Sequence, residues 1–400
     1  MSIGTAIANI QRTAHIINTF AKYGLQDFFS SNKLIERIPA LQSLLPQKVV
    51  SGQKLSRPER LRLVFEELGP TFIKFGQILS NRPDLLPESY IRELEKLQDN
   101  VPPFSSKEVI GIIEKSTGRK IDELFSAFDK QPLASASIGQ VHKAVLKNGE
   151  KVAVKVRRPN IEQIIRNDIE ILKFLSEFIE NGFEELKRFQ ITEAIQEFEK
   201  VIFKELNFTY EKAAIRRFRK FFSGSKNVII PAVFSEYSSN RVLVLEYIQG
   251  VKLSKIHQDN AINKKNTADL LVDTYFTQIF EYKSFHADPH PGNIFIVNKS
   301  KLALIDFGQV GYVLEEDIQN FGKLIVAIYD QDVTSVIRII KKYSRTAVKN
   351  ENDLKYEVNE IINDYYYREL NEIDLETVIS RFRTLVFKYN ITLPSNLFLL

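Results

Sequence analysis

The spacing of apolar residues along the chain predicts helices in its first part. Between Ser56 and Ser80, apolar residues recur every three or four positions with charged residues among them, which is the period of an amphipathic helix. Ser56 and Glu59 have the spacing of a capping box, so a helix is expected to begin there. The recurring apolar positions are Leu61, Val64, Leu68, Phe72, Phe75, Ile78 and Leu79. Helical patterns of this kind are predicted for residues 1 to about 125.

Runs typical of strands are few and clustered. A strand-rich section is predicted from about residue 130 to residue 158, with a hairpin turn at Lys147–Glu150, which contains an Asn-Gly pair. Helical patterns return from about Ile161 to Phe222 and again from Ala268 onward. Shorter extended runs stand at 228–231, 241–248, 294–297 and 302–305. The sequence therefore predicts an α+β fold.

Composition excludes several classes of function. The chain has 400 residues, which is enough for a large core, and it has no cysteine, so disulfides and thiolate metal sites are excluded. A net charge of +5 is too small to indicate nucleic-acid binding. No apolar run is long enough to span a membrane, so the chain is expected to be cytoplasmic or peripheral to the inner membrane. The amphipathic stretch from Ile10 to Phe29 is interpreted as a packing face, with membrane contact as the alternative.

The run His286–Asn293 (H-A-D-P-H-P-G-N) carries the strongest chemical signal. Asp288 is followed by Asn293 and then by a D-F-G at Asp306. This order is typical of a kinase phosphoryl-transfer site, in which the first Asp orients the attacking group while the Asn and the D-F-G Asp hold magnesium. The predicted cofactors are therefore ATP and Mg²⁺.

The rest of a nucleotide site stands upstream in the order that kinases have. Lys155, on the apolar run Val152–Val156, is predicted to reach the nucleotide phosphates, and either Glu205 or Glu211 could pair with it. The segment that matches the kinase phosphate loop consists of Ala134, Ser135, Ala136, Ser137, Ile138, Gly139, Gln140 and Val141. The segment in the position of the kinase hinge, expected to meet the adenine with backbone groups, consists of Glu246, Tyr247 and Ile248.

Some features depart from an ordinary protein kinase. Ala134 and Ala136 replace the first two glycines of the phosphate loop, which should stiffen it, because a β-carbon restricts the backbone. Ala287 replaces the arginine of an H-R-D motif, and no A-P-E follows the D-F-G. The pattern predicts kinase chemistry without the usual equipment for peptide substrates.

The run Gly69–Ser80, together with the alanine-rich loop and the run His286–Asn293, closely resembles the UbiB family of atypical kinases, which also includes the AarF and ADCK proteins. The resemblance extends from about Tyr23 to the end of the chain, and Lys74-x-Gly76-Gln77 is its most specific element. It implies a bilobal protein-kinase-like fold with a small strand-containing N-lobe, a mainly helical C-lobe and an N-terminal helical extension that caps the active site. It also implies that Lys74 and Gln77 lie near the nucleotide and exclude peptide substrates.

The resemblance further implies that Glu211 pairs with Lys155, while Glu205 and position 207 face the Lys74 segment. Relatives carry an acidic residue where this chain has Asn207, so the anchoring of Lys74 departs from the family pattern. Relatives also continue beyond the position of Leu400, and their C-termini often span membranes. The apolar run Leu397–Leu400 is therefore expected to be an interrupted helix of a truncated form whose full-length version could be membrane-anchored.

Three regions are predicted: a helical extension at 1–125, an N-lobe with inserted helices at 126–250, and a C-lobe at 251–400. The predicted function is that of an atypical kinase or ATPase in isoprenoid-quinone metabolism, ubiquinone biosynthesis in particular, at the membrane surface. Its expected partners are ATP, a quinone precursor or lipid, and quinone-biosynthesis proteins, with no nucleic acid. A protein kinase and a nucleotide-gated scaffold or lipid-extraction factor are the alternatives.

Overall fold

The computed structural model describes residues 3–25, 55–97, 101–182, 191–344, 350–369 and 374–389, with isolated residues at 348, 372 and 391. The α-helices are α1 Ile3–Lys22, α2 Arg57–Leu68, α3 Pro70–Ser80, α4 Glu88–Leu94, α5 Ser106–Thr117, α6 Ile121–Leu124, α7 Ile161–Gly182, α8 Ile191–Glu205, α9 Phe208–Phe221, α10 Lys264–Phe276, α11 Glu315–Tyr329, α12 Val333–Tyr343, α13 Glu351–Tyr366 and α14 Leu375–Lys388. The strands are β1 Phe125–Ser135, β2 Gly139–Leu146, β3 Lys151–Arg157, β4 Val228–Ile229, β5 Val242–Glu246, β6 Val251–Lys252, β7 Ser284–His286, β8 Ile294–Val297, β9 Lys301–Leu304 and β10 Val310–Tyr312.

The chain divides into two compact units. The first contains the described residues of Met1–Gln98, Gln163–Glu199 and Glu316–Leu399, and the second those of Asp99–Glu162 and Lys200–Glu315. The described part of the first unit is helical, whereas β1 to β10 all belong to the second.

Helices α2 and α3 form the centre of the first unit. The capping box at Ser56 begins α2 as predicted, since Ser56 accepts a hydrogen bond from the Glu59 N–H and its own N–H reaches the Glu59 carboxylate. Gly69, with a φ of 91°, turns the chain from α2 into α3, where Pro70 takes the first helical position. The buried apolar faces of both helices then pack together. Phe65 of α2 contacts Phe72 and Phe75 of α3, and Phe198 of α8 packs against Phe75.

Helix α1 also packs within the first unit. Arg12 Nε lies 2.7 Å from Asp168 Oδ1, and that carboxylate is almost fully buried. The apolar side chains of Ile16, Ile17 and Leu25 are buried. The interpretation of this stretch as a packing face is therefore confirmed from Ile16 to Leu25, whereas Ile10 at its start is exposed. Its last residues, Phe28 and Phe29, lie outside the described residues.

The second unit contains a four-stranded antiparallel sheet in the order β1-β2-β3-β5. The β2–β3 turn is the predicted hairpin, in which Gly149 has a φ of 90° and donates to Leu146 O at 2.9 Å. One face of this sheet packs on α5, which begins with a capping box formed by Ser105 and Glu108. The shared core consists of Val109, Ile113, Leu124, Phe125, Ala144, Leu146, Val152, Val154, Val156, Val242 and Val244.

A second sheet and a short strand pair complete this unit. The sheet has the order β4-β9-β8-β6, and β7 pairs with β10. Strands β8 and β9 form a hairpin close to the predicted bounds, with Ile294 opposite Leu304. Helix α9 packs on this region through Phe208, Ile215 and Phe218.

The α+β fold class is confirmed, although β1 begins at Phe125 rather than near residue 130. The division into 1–125, 126–250 and 251–400 stays a prediction. None of the described helices is long and apolar enough to cross a membrane. The predicted interrupted helix at Leu397–Leu400 lies outside the described residues.

Candidate active site

Lys155 is the centre of a cluster of charged side chains in the second unit. Lys155 belongs to β3, and its Nζ lies 3.1 Å from Glu211 Oε1 and 2.9 Å from Glu211 Oε2. The same Nζ lies 3.2 Å from Asp306 Oδ1. Two carboxylates from distant parts of the chain therefore share one ammonium group. The sequence left Glu205 and Glu211 open as partners of Lys155, and the structure places Glu211 in this contact.

The start of helix α9 brings Glu211 to Lys155. Asn207 is the N-cap, since its Oδ1 accepts from Thr209 N at 3.1 Å and from Thr209 Oγ1 at 2.8 Å. Glu211 lies in the first turn, where the helix dipole favours a negative charge. The ring of Phe208 lies 5.3 Å from Lys155 Nζ, within the range of a cation–π contact.

Burial and neighbouring charges set the ionisation of the pair. Burial raises the pKa of Glu211 to about 7, an effect that Lys155 opposes and that the negative charges of Asp306 and Glu205 reinforce. Burial lowers the pKa of Lys155, but the charges of Asp306 and Glu211 outweigh it, so this pKa stands above its usual value. Lys155 is thus a cation at neutral pH, while Glu211 binds its proton at a higher pH than an ordinary glutamate does.

Asp288 and Asn293 are joined within the loop that connects β7 to β8. Asn293 Nδ2 donates to Asp288 Oδ2 at 2.9 Å. The main-chain carbonyl of Asn293 accepts from Ile305 N at 3.0 Å, and Asp306 is the next residue after Ile305. The loop is thereby tied to the D-F-G segment. Asp306 is thus placed beside Asp288 and Asn293 at one end of the β8–β9 hairpin.

His286 supports this loop from the protein interior. It is almost fully buried, its Nε2 lies 3.0 Å from Ile305 O, and its Nδ1 lies 3.3 Å from Asp288 N. Both contacts fit a ring that carries its proton on Nε2. The His286 N–H donates to Gln278 Oε1 at 2.8 Å. Gln278 belongs to the π-helical turn Thr277–Glu281, a kind of turn that is frequent at functional sites.

The D-F-G segment has a local geometry of its own. Asp306 has a φ of 61°, in the left-handed region, and its Oδ1 accepts from Gly308 N at 3.3 Å. Phe307 is buried, with its ring centroid 4.9 Å from those of His286 and Phe218. The side chain of Phe307 therefore anchors the segment while the carboxylate of Asp306 turns to Lys155.

The oxygen atoms at this place suit a hard cation. Asp306 offers a carboxylate, and Asn293 offers an amide oxygen, because its Nδ2 is already bonded to Asp288. Within the described part of the chain no group of three or more His, Cys, Asp or Glu side chains could hold a metal. Magnesium is usually bound by one or two protein ligands together with substrate phosphates and water. Asn293 and Asp306 therefore fit a magnesium ion that arrives with a nucleotide.

Glu205 lies beside the D-F-G segment. A Cβ built on Gly308 would stand 3.9 Å from Glu205 Cγ. Glu205 is the last residue of α8, and its charge contributes to the raised pKa of Glu211. Glu205 thus belongs to the charge cluster without being the residue that pairs with Lys155.

Next to the predicted phosphate loop, the end of β1 is paired with the start of β2. Ala134 lies opposite Val141, and Ser135 lies opposite Gln140. The side chain of Gln140 is bonded to the main chain of Phe104, with Oε1 accepting at 3.0 Å and Nε2 donating at 3.2 Å. The side chain of Gln140 is therefore committed to Phe104 and does not face a ligand with free polar groups.

The tip of the loop is a tight turn from Ala136 to Gly139. Ala136 N donates to Gly139 O at 2.8 Å, and the side chains of Ser137 and Ile138 between them are buried. Gly139 lies so close to β3 that a Cβ there would stand 2.5 Å from Val156 O. A close strand contact thus accounts for the third glycine of the motif.

Most main-chain N–H groups of the predicted hinge segment are already hydrogen-bonded within the protein. Glu246 N donates to Ala232 O at 2.9 Å, and Tyr247 N donates to Lys151 O at 3.0 Å. The main-chain groups of Ile248 make no hydrogen bond to any other described residue. Among the three predicted hinge residues, Ile248 is therefore the one whose N–H and carbonyl are both available to an adenine.

Lys74 and Gln77 lie on α3 in the first unit, and both side chains are half-buried. Gln77 Nε2 donates to Leu97 O at 3.2 Å. Gly76 lies between them. A Cβ at this position would collide with the side chains of Leu97 and Phe65, so the lack of a side chain leaves room for both. The role of Lys74 and Gln77 at the nucleotide stays a prediction.

Reasoning from the sequence missed Phe208, Gln278 and Tyr275. The hydroxyl of Tyr275 is buried with no hydrogen-bond partner among the described residues. Burial raises the pKa of Tyr275, and the negative charge of Asp288 raises it further, which places the phenol near that carboxylate. Tyr275 and Gln278 are three residues apart in a helical run that leads into the H-A-D-P segment, and this spacing was the available signal. No comparable signal marks Phe208.

Comparisons with known proteins concern the family and the fold of the chain. A family model described as the ABC1 atypical kinase-like domain matches residues 96–340. Proteins named probable protein kinase UbiB are 35% identical in Marinobacter nauticus, over 98% of this chain and 73% of that protein, and 36% identical in Cellvibrio japonicus, over 93% and 68%. The structure of Rv3197 with erythromycin from Mycobacterium tuberculosis matches with a TM-score of 0.52 and 22% identity, over 92% of this chain and 97% of that one. The kinase-like fold predicted from the sequence is thereby confirmed.

Proposed function

The chain belongs to the ABC1 atypical kinase-like family and is a relative of the UbiB proteins, and we propose that it is an ATP- and magnesium-dependent phosphotransferase or ATPase. We further propose that it supports isoprenoid-quinone biosynthesis, ubiquinone in particular, at the inner surface of a membrane. The expected ligands are ATP and a quinone precursor or another lipid, and quinone-biosynthesis proteins are possible partners.

One observation carries the proposal: Lys155 is held between Glu211 and Asp306, while Asp288 and Asn293 are bonded to each other at the end of the same hairpin. Phosphoryl transfer depends chiefly on positioning and charge stabilisation. A lysine held by two carboxylates, together with a third carboxylate on a braced loop, supplies positioned charges of the kind that this reaction needs.

Each residue then has a defined task. Lys155 binds the nucleotide phosphates, Glu211 orients Lys155, and the turn from Ala136 to Gly139 covers the phosphates. Asp288, held in place by His286 and Asn293, orients the attacking hydroxyl or water and accepts its proton. Asn293 and Asp306 would hold the magnesium ion, which neutralises charge on the phosphates when it is bound.

The test is the release of γ-phosphate from Mg-ATP by the wild type and by Asp288→Asn. We expect the variant to lose at least about a hundredfold in rate, the usual loss when a general base is removed. Asp122→Asn is the matched control, because Asp122 is exposed on α6 of the same unit. Both variants would be measured alone and with anionic liposomes plus a phenolic quinone-precursor mimic.

The outcomes separate the parts of the proposal. Release that depends on Asp288 and rises with lipid or phenol supports a membrane-coupled enzyme of quinone metabolism. Full release by Asp288→Asn would refute the assignment of roles. ATP binding without Asp288-dependent release would favour a nucleotide-gated scaffold or lipid-extraction factor instead.

Protein phosphorylation is the second candidate, since the relatives in Marinobacter nauticus and Cellvibrio japonicus are named as probable protein kinases. Transfer of labelled phosphate to casein, or to the chain itself, would be measured for the wild type and for Asp288→Asn. Robust labelling that requires Asp288 would favour a protein kinase, whereas labelling by neither protein would leave the small-molecule reaction as the proposal.

A further inference from the structure

Arg158, the residue that follows β3, contacts the phosphate loop through both its main chain and its side chain. The Arg158 N–H donates to Ile138 O at 2.7 Å. Its Nη2 donates to Ala136 O at 3.2 Å and lies 3.4 Å from Ser135 Oγ. The carbonyls of Ala136 and Ile138, on either side of Ser137, are thus both bonded to this one residue.

The guanidinium of Arg158 is itself anchored. Its Nη2 also donates to Pro102 O at 3.0 Å, and its Cζ lies 5.3 Å from the centroid of the Phe104 ring, within the range of a cation–π contact. The main chain of Phe104 is fixed in turn by the side chain of Gln140. Arg158 therefore joins the loop to Pro102 and Phe104, which precede α5 in the chain.

Peptide geometry converts these contacts into an orientation of the loop. In a trans peptide the C=O and the following N–H point in opposite directions, and the described chain has no cis peptide bonds. Because the carbonyls of Ala136 and Ile138 face Arg158, the N–H groups of Ser137 and Gly139 face away from it. Neighbouring N–H groups that face one place form a site for an anion such as a phosphate.

The Ser137 N–H, which Arg158 orients through the Ala136 carbonyl, has no hydrogen-bond partner within the described ranges, and neither has the N–H of Ile138 beside it. The Ser137 hydroxyl is buried and has no partner among the described residues either. Buried polar groups without partners are rare in proteins, so a ligand with acceptor oxygens would satisfy this turn.

We propose that Arg158 is a positioning residue that fixes the peptide groups of the phosphate loop in the orientation that receives the nucleotide phosphates. This inference rests on the proposed function, which assigns the loop to ATP. Arg158 does not touch the ligand and acts through the two carbonyls that it holds. Its effect should therefore depend on whether the ligand carries phosphates.

The test is the Kd of the full chain for Mg-ATP, Mg-ADP and adenosine, measured by calorimetry. In Arg158→Gln we expect the Kd for ATP and ADP to rise about tenfold, the loss that one charge-assisted hydrogen bond represents, while the Kd for adenosine stays unchanged. Arg119→Gln is the matched control, because Arg119 also donates to a carbonyl, that of Glu123, and lies over an aromatic ring, that of Tyr237.

A second measurement does not depend on the nucleotide. Amide hydrogen exchange of residues 136–139 in the free protein should be faster in Arg158→Gln than in the wild type. The Arg158→Lys variant keeps the charge but lacks the planar fork, so its exchange rate should lie between those of the wild type and Arg158→Gln. A wild type that binds none of the three ligands would refute the proposed function. Equal ATP affinity in wild type and Arg158→Gln, or equal losses for ATP and adenosine, would refute only the role of Arg158.

Discussion

Replacing Gly139 by alanine should disturb the sheet that carries Lys155. A Cβ at this position would stand 2.5 Å from Val156 O, 3.3 Å from Val156 C and 3.4 Å from Arg157 Cα. All three atoms belong to the main chain of β3, so no side-chain rotation can relieve the contact. Ordinary separations of non-bonded atoms require β3 or the loop to move by about half an ångström or more.

The cost follows from the cost of overpacking. Forcing an extra methyl group into a close-packed place destabilises a protein by about 1–3 kcal/mol, so we expect Gly139→Ala to lower the free energy of unfolding by roughly 2 kcal/mol. Lys155 lies next to Val156 on the displaced strand. Because small misplacements of positioning groups can lower rates by about a hundredfold, ATP turnover should fall more than stability alone explains.

Urea unfolding and ATP turnover of the same preparations would check this, with Gly111→Ala as the matched control. Gly111 lies within α5, and no atom stands within 4 Å of the place its Cβ would take. Alanine there should raise the free energy of unfolding by about 0.5–1 kcal/mol, because it lowers the entropy of the unfolded chain. If Gly139→Ala unfolds at the same urea concentration as the wild type, the argument from the close strand contact is wrong.

Asn207→Ala should lower the free energy of unfolding by about 1 kcal/mol through the lost N-cap, and Asn207→Asp should retain it; equal urea midpoints for the alanine variant and the wild type would contradict this. Because burial raises the folded-state pKa of Glu211 from the ordinary 4.5 to about 7, the stability that this carboxyl contributes is complete below pH 4.5 and is lost as the pH rises through 7. The wild type should therefore lose up to about 3 kcal/mol relative to Glu211→Gln over that interval, as measured by urea unfolding at several pH values, and a difference that does not vary with pH would refute the assignment. Tyr275→Phe removes a buried hydroxyl that has no partner among the described residues, so its melting temperature should stay unchanged or rise, and a clear fall would indicate a bonded hydroxyl.

The residues of the site that could be predicted are those with a strong local signal. Lys155 stands in an apolar strand, where a charged side chain is costly without a partner or a ligand. Asp288 and Asn293 stand in a proline-rich loop between segments with a clear helical or strand pattern. The capping box at Ser56 could also be predicted, because its chemistry lies within four residues. Short-range chemistry of this kind does not require knowledge of the tertiary structure.

The choice between Glu205 and Glu211 needed the three-dimensional arrangement. Both stand in a charged helical stretch, and the break between α8 and α9 decides which one faces Lys155. Asn207 is the N-cap at that break. The prediction from the sequence treated Asn207 only as the replacement of an acidic residue and not as a helix cap. The phase of a helix depends on where it begins, so a missed cap leaves the facing residue undetermined.

The beginning of β1 was misplaced for a different reason. Its pairing with β2 is irregular, with register shifts between Phe125 and Pro132 and again before Ala134. Such bulges interrupt the alternation of inward and outward side chains, which is the signal that a strand leaves in a sequence. Most of the strand is also exposed, so polar residues such as Asp129 and Lys130 occupy it without cost.

The predicted phosphate loop has fewer glycines than the kinase motif that it matches. Gly139 is required by the approach of Val156 O, whereas Ala134 and Ala136 occupy the other two glycine positions without any such contact forcing a glycine. The conformation of the loop is set by its surroundings, namely the strand contact at Gly139 and the bonds from Arg158 to two carbonyls. A loop fixed from outside in this way does not need the backbone freedom of glycine, and a nucleotide that enters it would lose little of its binding energy to ordering the turn.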